Sequence, residues 1–224
     1  MELSDKTMSV LKNYATINPN IVIEKGSTVK TISEAKNVLS SSSLDMVFPE
    51  TFGIYDLNEF ISVLSLVDAP RLKFEKSYVL VTDSSGRSRT KYHYADLDVL
   101  TTPTKDVKMP DPEVKFSLDR ATLSKIKRAA SVLGHTELSV TASNGVISLS
   151  VIDSKDTTSN VFSIDVDGTF GENNFNFVFN IGNLKMVDGD YEVGVSSKLI
   201  SHFVNNDTAT EYWVALEKSS TYGV

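Results

Sequence analysis

The 224-residue chain has no cysteine, a single tryptophan and three histidines. Without cysteine there is no disulfide framework, thiolate metal centre or cysteine nucleophile. His93, His135 and His202 fall in different elements and share no metal-ligand spacing. No apolar run approaches the ~20 residues of a membrane helix, and Met1-Glu2-Leu3-Ser4-Asp5-Lys6 does not open a signal peptide. A cytoplasmic protein without membrane contact is therefore expected. A phosphate loop, a Gly-x-Ser-x-Gly elbow and a His-Glu-x-x-His helix are all missing. Asp165 and Asp167 form a pair suited to a divalent ion, but Gly168 follows them and favours a strand running into a turn. Asp188 and Asp190 flank Gly189, which is turn chemistry. These absences predict a protein that is not an enzyme and has neither cofactor nor metal.

What is present suits a folded chain. Apolar residues make up 41% and charged residues 23%, enough apolar surface to offset chain entropy. Helical periodicity runs over residues 4–16, with Ser4 as N-cap and Met8, Leu11 and Ala15 on one face. A second helix is expected from Asp56 to Val67 and a third from Asp119 to Leu133, the last closed by Gly134. Strands are expected at residues 21–23, 78–81, 89–94, 161–164, 175–179, 191–195 and 212–216. Asn144-Gly145 joins strands 138–141 and 146–149 in a hairpin. Ser40–Ser43 reads as a polar loop, and 180–187 has room for only a short helix. The pattern is α+β.

Three of the six prolines, at 103, 110 and 112, fall between Thr101 and Glu113, which reads as an extended connector. The halves on either side look alike. Thr7–Ala15 aligns with Thr122–Ala130, and Phe52–Asn58 resembles Phe177–Asn183. The expected domains are 1–105 and 116–224, joined by a connector at 106–115.

Lysine and arginine number 22 against 29 acids, a net charge of −7. That total argues against a nucleic-acid partner, yet the cations are unevenly spread. Residues 119–133 carry four cations and one acid. On a wheel of ~100° per residue, Arg120, Lys127 and Arg128 fall opposite the apolar stripe, with Lys125 at the margin. Helix 4–16 places Lys6 and Lys12 on its corresponding face, against Asp5 alone. The two helices together carry +4, which leaves −11 for the rest. No cluster on these faces is suited to reading base edges, so they fit phosphate contact without sequence readout. The competing reading is a β-rich structural or adaptor protein without DNA contact, on which the basic helix is only a solvated face.

Particular segments resemble the sliding clamps of T-even-type bacteriophages, the processivity factors of viral DNA polymerases. They are Leu11–Asn18, Tyr55–Val67, Asn174–Phe177, Asn183–Met186 with Gly189–Tyr191, and Tyr212–Glu217 with Ser219–Thr221. Residues 25–50, 70–110 and the terminal Tyr222-Gly223-Val224 depart from that pattern. The resemblance implies a DNA-clamp fold with two similar domains, each with two helices on antiparallel sheets. It also implies a homotrimeric ring around double-stranded DNA in the cytoplasm of an infected bacterium. An ATP-dependent clamp loader would open the ring, and late transcription factors would use it as well. Carried over, Lys6, Lys12, Arg120, Lys125, Lys127 and Arg128 would face the DNA. Val107, Met109, Trp213, Ala215 and Leu216 would form the pocket for the polymerase C-terminal peptide.

Overall fold

The computed structural model describes residues 1–156 and 158–224. The chain divides into two units, Met1–Asp106 and Val107–Val224.

The first unit begins with α1 (Asp5–Ile17), whose first turn is closed by the Ser4 hydroxyl accepting from the Thr7 N–H at 3.0 Å. It continues through β1 (Ile21–Ile23), β2 (Gly26–Ile32), β3 (Val38–Phe48) and β4 (Phe52–Ile54) to α2 (Leu57–Leu64). Asp56 caps α2 by accepting from the Asn58 and Glu59 N–H groups. β5 (Arg71–Glu75), β6 (Tyr78–Thr82) and β7 (Arg89–His93) then form a three-stranded antiparallel sheet. Leu11, Tyr14, Ile23, Ile54 and Leu57 are fully buried beneath the helices.

The serine run expected as a loop is the middle of β3. Ser40 and Ser42 point inward at 0% and 1% exposure. Ser40 is tolerated there because its hydroxyl donates to the Tyr14 phenol at 3.0 Å. At the other end of the unit, Met1 exchanges two backbone hydrogen bonds of 2.7 Å with Leu72 and so covers the outer edge of β5. β7 remains as the open edge of its sheet.

The second unit opens with β8 (Val114–Leu118) and α3 (Arg120–Leu133). Asp119 caps α3 through the Thr122 N–H at 2.6 Å, and Gly134 ends it in the left-handed conformation, φ 72°. The chain then runs through β9 (Glu137–Ser143), β10 (Val146–Ile152), β11 (Phe162–Val166), β12 (Gly168–Phe170) and β13 (Phe175–Asn180). The last strands are β14 (Tyr191–Ser196), β15 (Ile200–Asn205), β16 (Thr210–Ala215) and β17 (Thr221–Tyr222). One sheet has the order β11-β10-β9-β13-β17, and the other contains β12-β8-β14-β15-β16. All pairings are antiparallel. Asn144 and Gly145 take φ of 52° and 82° in the β9–β10 turn, the two positive values that a type I′ turn needs. Where a short second helix was expected, there is one 3-10 turn, Ile181–Asn183, held by the Asn180 side chain.

Candidate nucleic-acid interface

α3 turns Thr122, Leu123, Ile126 and Ala130 into the core of the second unit. Its other side exposes Arg120, Ser124, Lys125, Arg128 and Ser131. With four cations and no acid between Arg120 and Leu133, this is the strongest positive helix face among the described residues. The structure also sorts these cations. Arg128 stands opposite the buried stripe, and Lys125 is more exposed than the wheel margin suggested. Neither makes an ion pair among the described residues. Arg120 is engaged with neighbouring loops: its N–H donates to Asp190 at 2.7 Å, and its guanidinium lies 3.7 Å from Asp207. Lys127 is half-buried on the flank of the helix. Burial pushes its ammonium pKa down, and Asp188 partly opposes that shift. Its side chain is thus less available to a polyanion than the wheel implied.

In the first unit, Lys12 is exposed on α1 and Lys6 is half-buried. Lys6 lies near Asp45, whose carboxyl is held below its usual range mainly by the Ser4 hydroxyl. α2 carries Glu59 and no cation. The positive helix surface therefore belongs to α1 and α3.

The residues expected to form a peptide pocket do not all gather. Trp213 and Ala215 point outward from β16, and Val107 and Met109 are half-buried in the segment preceding β8. Leu216 is one step out of phase along the pleat and lies inward at 7% exposure, which removes it from the Trp213 face. His202, unassigned in the sequence reading, sits opposite Trp213 in the β15–β16 register. The two rings stack 4.7 Å apart at 10°. His202 Nε2 is 2.8 Å from Glu211 Oε2. The Trp213 indole nitrogen is enclosed and has no acceptor among the described residues.

A further feature was missed in the sequence. β11 is the outer strand of its sheet, and beside it lies an open groove of about 380 Å³ lined by Ala129, Val132, Leu133, Val161 and Phe162 together with Lys125 and Arg128 of the cationic face. Val132 is 75% and Val161 57% exposed. β11 and the residue after it carry Asp165 and Asp167 without a cation, whereas β7 carries Arg89 and Lys91 without an acid. A valine on the polar arc of a capped helix was the available sequence signal.

Comparison with known proteins covers almost the whole chain. Residues 4–98 match the family described as DNA polymerase processivity factor, and residues 115–218 match gp45 sliding clamp, C terminal. The sliding clamp of Vibrio phage KVP40 is 32% identical over 222 residues, covering 97% of this chain and 99% of the relative. That of Escherichia phage RB69 is 27% identical over 230 residues, covering 99% of each. Among solved structures, proliferating cellular nuclear antigen from Entamoeba histolytica superposes with a TM-score of 0.67 at 13% identity and 94% coverage of both chains. PCNA of A. fulgidus, in a structure with the C-terminal region of FEN-1 bound, gives 0.71 at 14% identity and 96% coverage of both. At such identities the likeness is one of fold.

Proposed function

The chain belongs to the phage sliding-clamp family, and from that premise we propose that three copies close into a ring around duplex DNA and tether the replicative polymerase there. The observation that carries this reading is the exposed cationic face of α3 in a chain of net charge −7. Positive charge on selected helices of an acidic body holds a polyanion at one surface and repels it from the others. Arg128 and Lys125 suit phosphate contact, and no neighbouring side-chain cluster suits base readout, so movement along the duplex is unobstructed. Retention comes from enclosure, which makes tight phosphate binding unnecessary.

Ring closure has its own support. β7 and β11 are sheet edges with opposite charge, and an open strand edge is a template for pairing with another chain. Joining β7 of one copy to β11 of the next is a head-to-tail contact, which closes when the rotation per subunit allows. It would cover Val132 and Val161 on one copy and bring Arg89 and Lys91 of the other near Asp165 and Asp167. A clamp loader using ATP would open one such contact. The polymerase C-terminal peptide would dock near Trp213, and late transcription proteins would use the ring as a platform in the infected cell. The clamp performs no chemistry of its own. Sedimentation at micromolar concentration tests the ring: the expected mass is three times the 24.6 kDa of the chain, and a stable monomer overturns the reading.

A further inference from the structure

The segment between β7 and β8 has no helix or strand from Thr101 to Pro112, yet it is tied at both ends. Within the first unit, the Thr101 N–H donates to Asn20 Oδ1 at 2.9 Å, and Lys30 Nζ meets Asp106 Oδ1 at 2.7 Å. Within the second, Glu113 accepts from Ser197 twice, from its N–H at 2.9 Å and from its hydroxyl. Just before Glu113, the Pro112 ring lies over Gly194. A β-carbon built on Gly194 would stand 3.1 Å from Pro112 Cγ, tighter than an ordinary contact, so a side chain at position 194 would press the proline outward by a few tenths of an ångström.

Between these ties, Val107, Met109 and Pro110 are half-buried, while Lys108 and Asp111 are exposed. The stretch therefore has an apolar underside and a charged upper side. Pro110 and Pro112 fix their own φ angles and stiffen it. Across the sheet, Gly194 pairs with His202 and His202 with Trp213. Pro112 thus closes one end of a row that finishes at the indole. The enclosed indole N–H without an acceptor leaves that row short of a partner group.

We propose that Glu113, Ser197 and Gly194 are positioning residues that hold residues 107–112 as a fixed strap beside the outer face of β14–β16, so that a docking polymerase peptide meets a preformed site. This rests on the reading above that such a peptide docks near Trp213. A strap already ordered in the free protein spares the peptide the cost of ordering it. Ser197 and Gly194 act on the peptide only through the strap.

The test uses the full chain in its native assembly with two variants. Ser197→Ala removes the hydroxyl donor, and Gly194→Ala places a methyl under Pro112. Two quantities are read: the rate of tryptic cleavage after Lys108, and the affinity for a synthetic peptide of the polymerase C-terminus from the same phage, followed by fluorescence anisotropy. Both variants are expected to keep the native mass, to be cleaved severalfold faster, and to bind the peptide about tenfold more weakly, as loss of preorganisation predicts. Unchanged cleavage in both variants overturns the tether. Faster cleavage with unchanged affinity overturns its role in docking. A wild type that binds no peptide defeats the docking reading as well, and the blank wild-type curve distinguishes that result from a failed tether.

Discussion

Replacing Val161 by alanine should weaken the ring without harming the fold. Val161 is 57% exposed in the single chain and borders the groove beside β11, so most of its side chain gains burial only when another copy covers it. Alanine lacks two of its methyl groups. At ~0.8 kcal/mol per buried carbon, scaled to the exposed fraction, the loss is about 1 kcal/mol per contact. The proposed three-copy ring would contain three such contacts, so its assembly would lose about 3 kcal/mol, or roughly 100-fold in its association constant. That constant depends on the square of concentration, so the midpoint of assembly should rise about tenfold. Sedimentation equilibrium over a dilution series measures the midpoint, and circular dichroism checks the fold. An unmoved midpoint with the fold intact would refute the edge-to-edge contact.

Charge changes on α3 should separate its cations. Arg128→Glu is expected to reduce loading onto DNA, whereas Lys127→Met, which removes charge from a half-buried side chain, should leave loading close to wild type in a processive-synthesis assay. Gly168→Ala should destabilise the second unit by about 1–3 kcal/mol through overpacking. Its β-carbon would collide with the Lys115 carbonyl oxygen and with Ile147 Cδ1, and thermal unfolding reads the loss. Glu113 is raised by burial but lowered more by its Ser197 hydrogen bonds, so its native pKa lies below the ordinary carboxylate value. Its stabilising contribution is complete above that ordinary value and disappears as pH falls through the lowered one. The difference in Tm between wild type and Glu113→Gln should therefore be steady near neutrality and vanish in acid.

The helices were legible because their signals are local. Ser4, Asp119 and Gly134 mark ends that the caps of α1 and α3 confirm, and Asn144-Gly145 specified its turn directly. The middle of β3 was hidden because a serine run carries no hydrophobic alternation; Ser40 is satisfied there by a distant tyrosine, which no local pattern reveals. The short second helix shrank to a 3-10 turn because Asn180 bonds the Gly182 N–H instead of starting an α-helix. At the candidate interface, the wheel found the basic face of α3 but could not weigh its members. Lys127 is half-buried by the fold and feels the charge of Asp188, far along the chain, and neither effect is encoded in the helix periodicity. The His202–Trp213 stack is likewise a cross-strand contact that appears only once register is known. The open edges β7 and β11 depend on sheet order, which alternation within one strand does not encode.

Enclosure of the duplex is tested most directly by loading the protein onto nicked circular DNA with the ATP-dependent loader proposed for it, washing at high salt, and cutting the circle once. An enclosing ring stays on the intact circle through the wash and runs off the cut molecule. Loss from the circle at high salt, or equal retention on circular and cut DNA, would contradict enclosure.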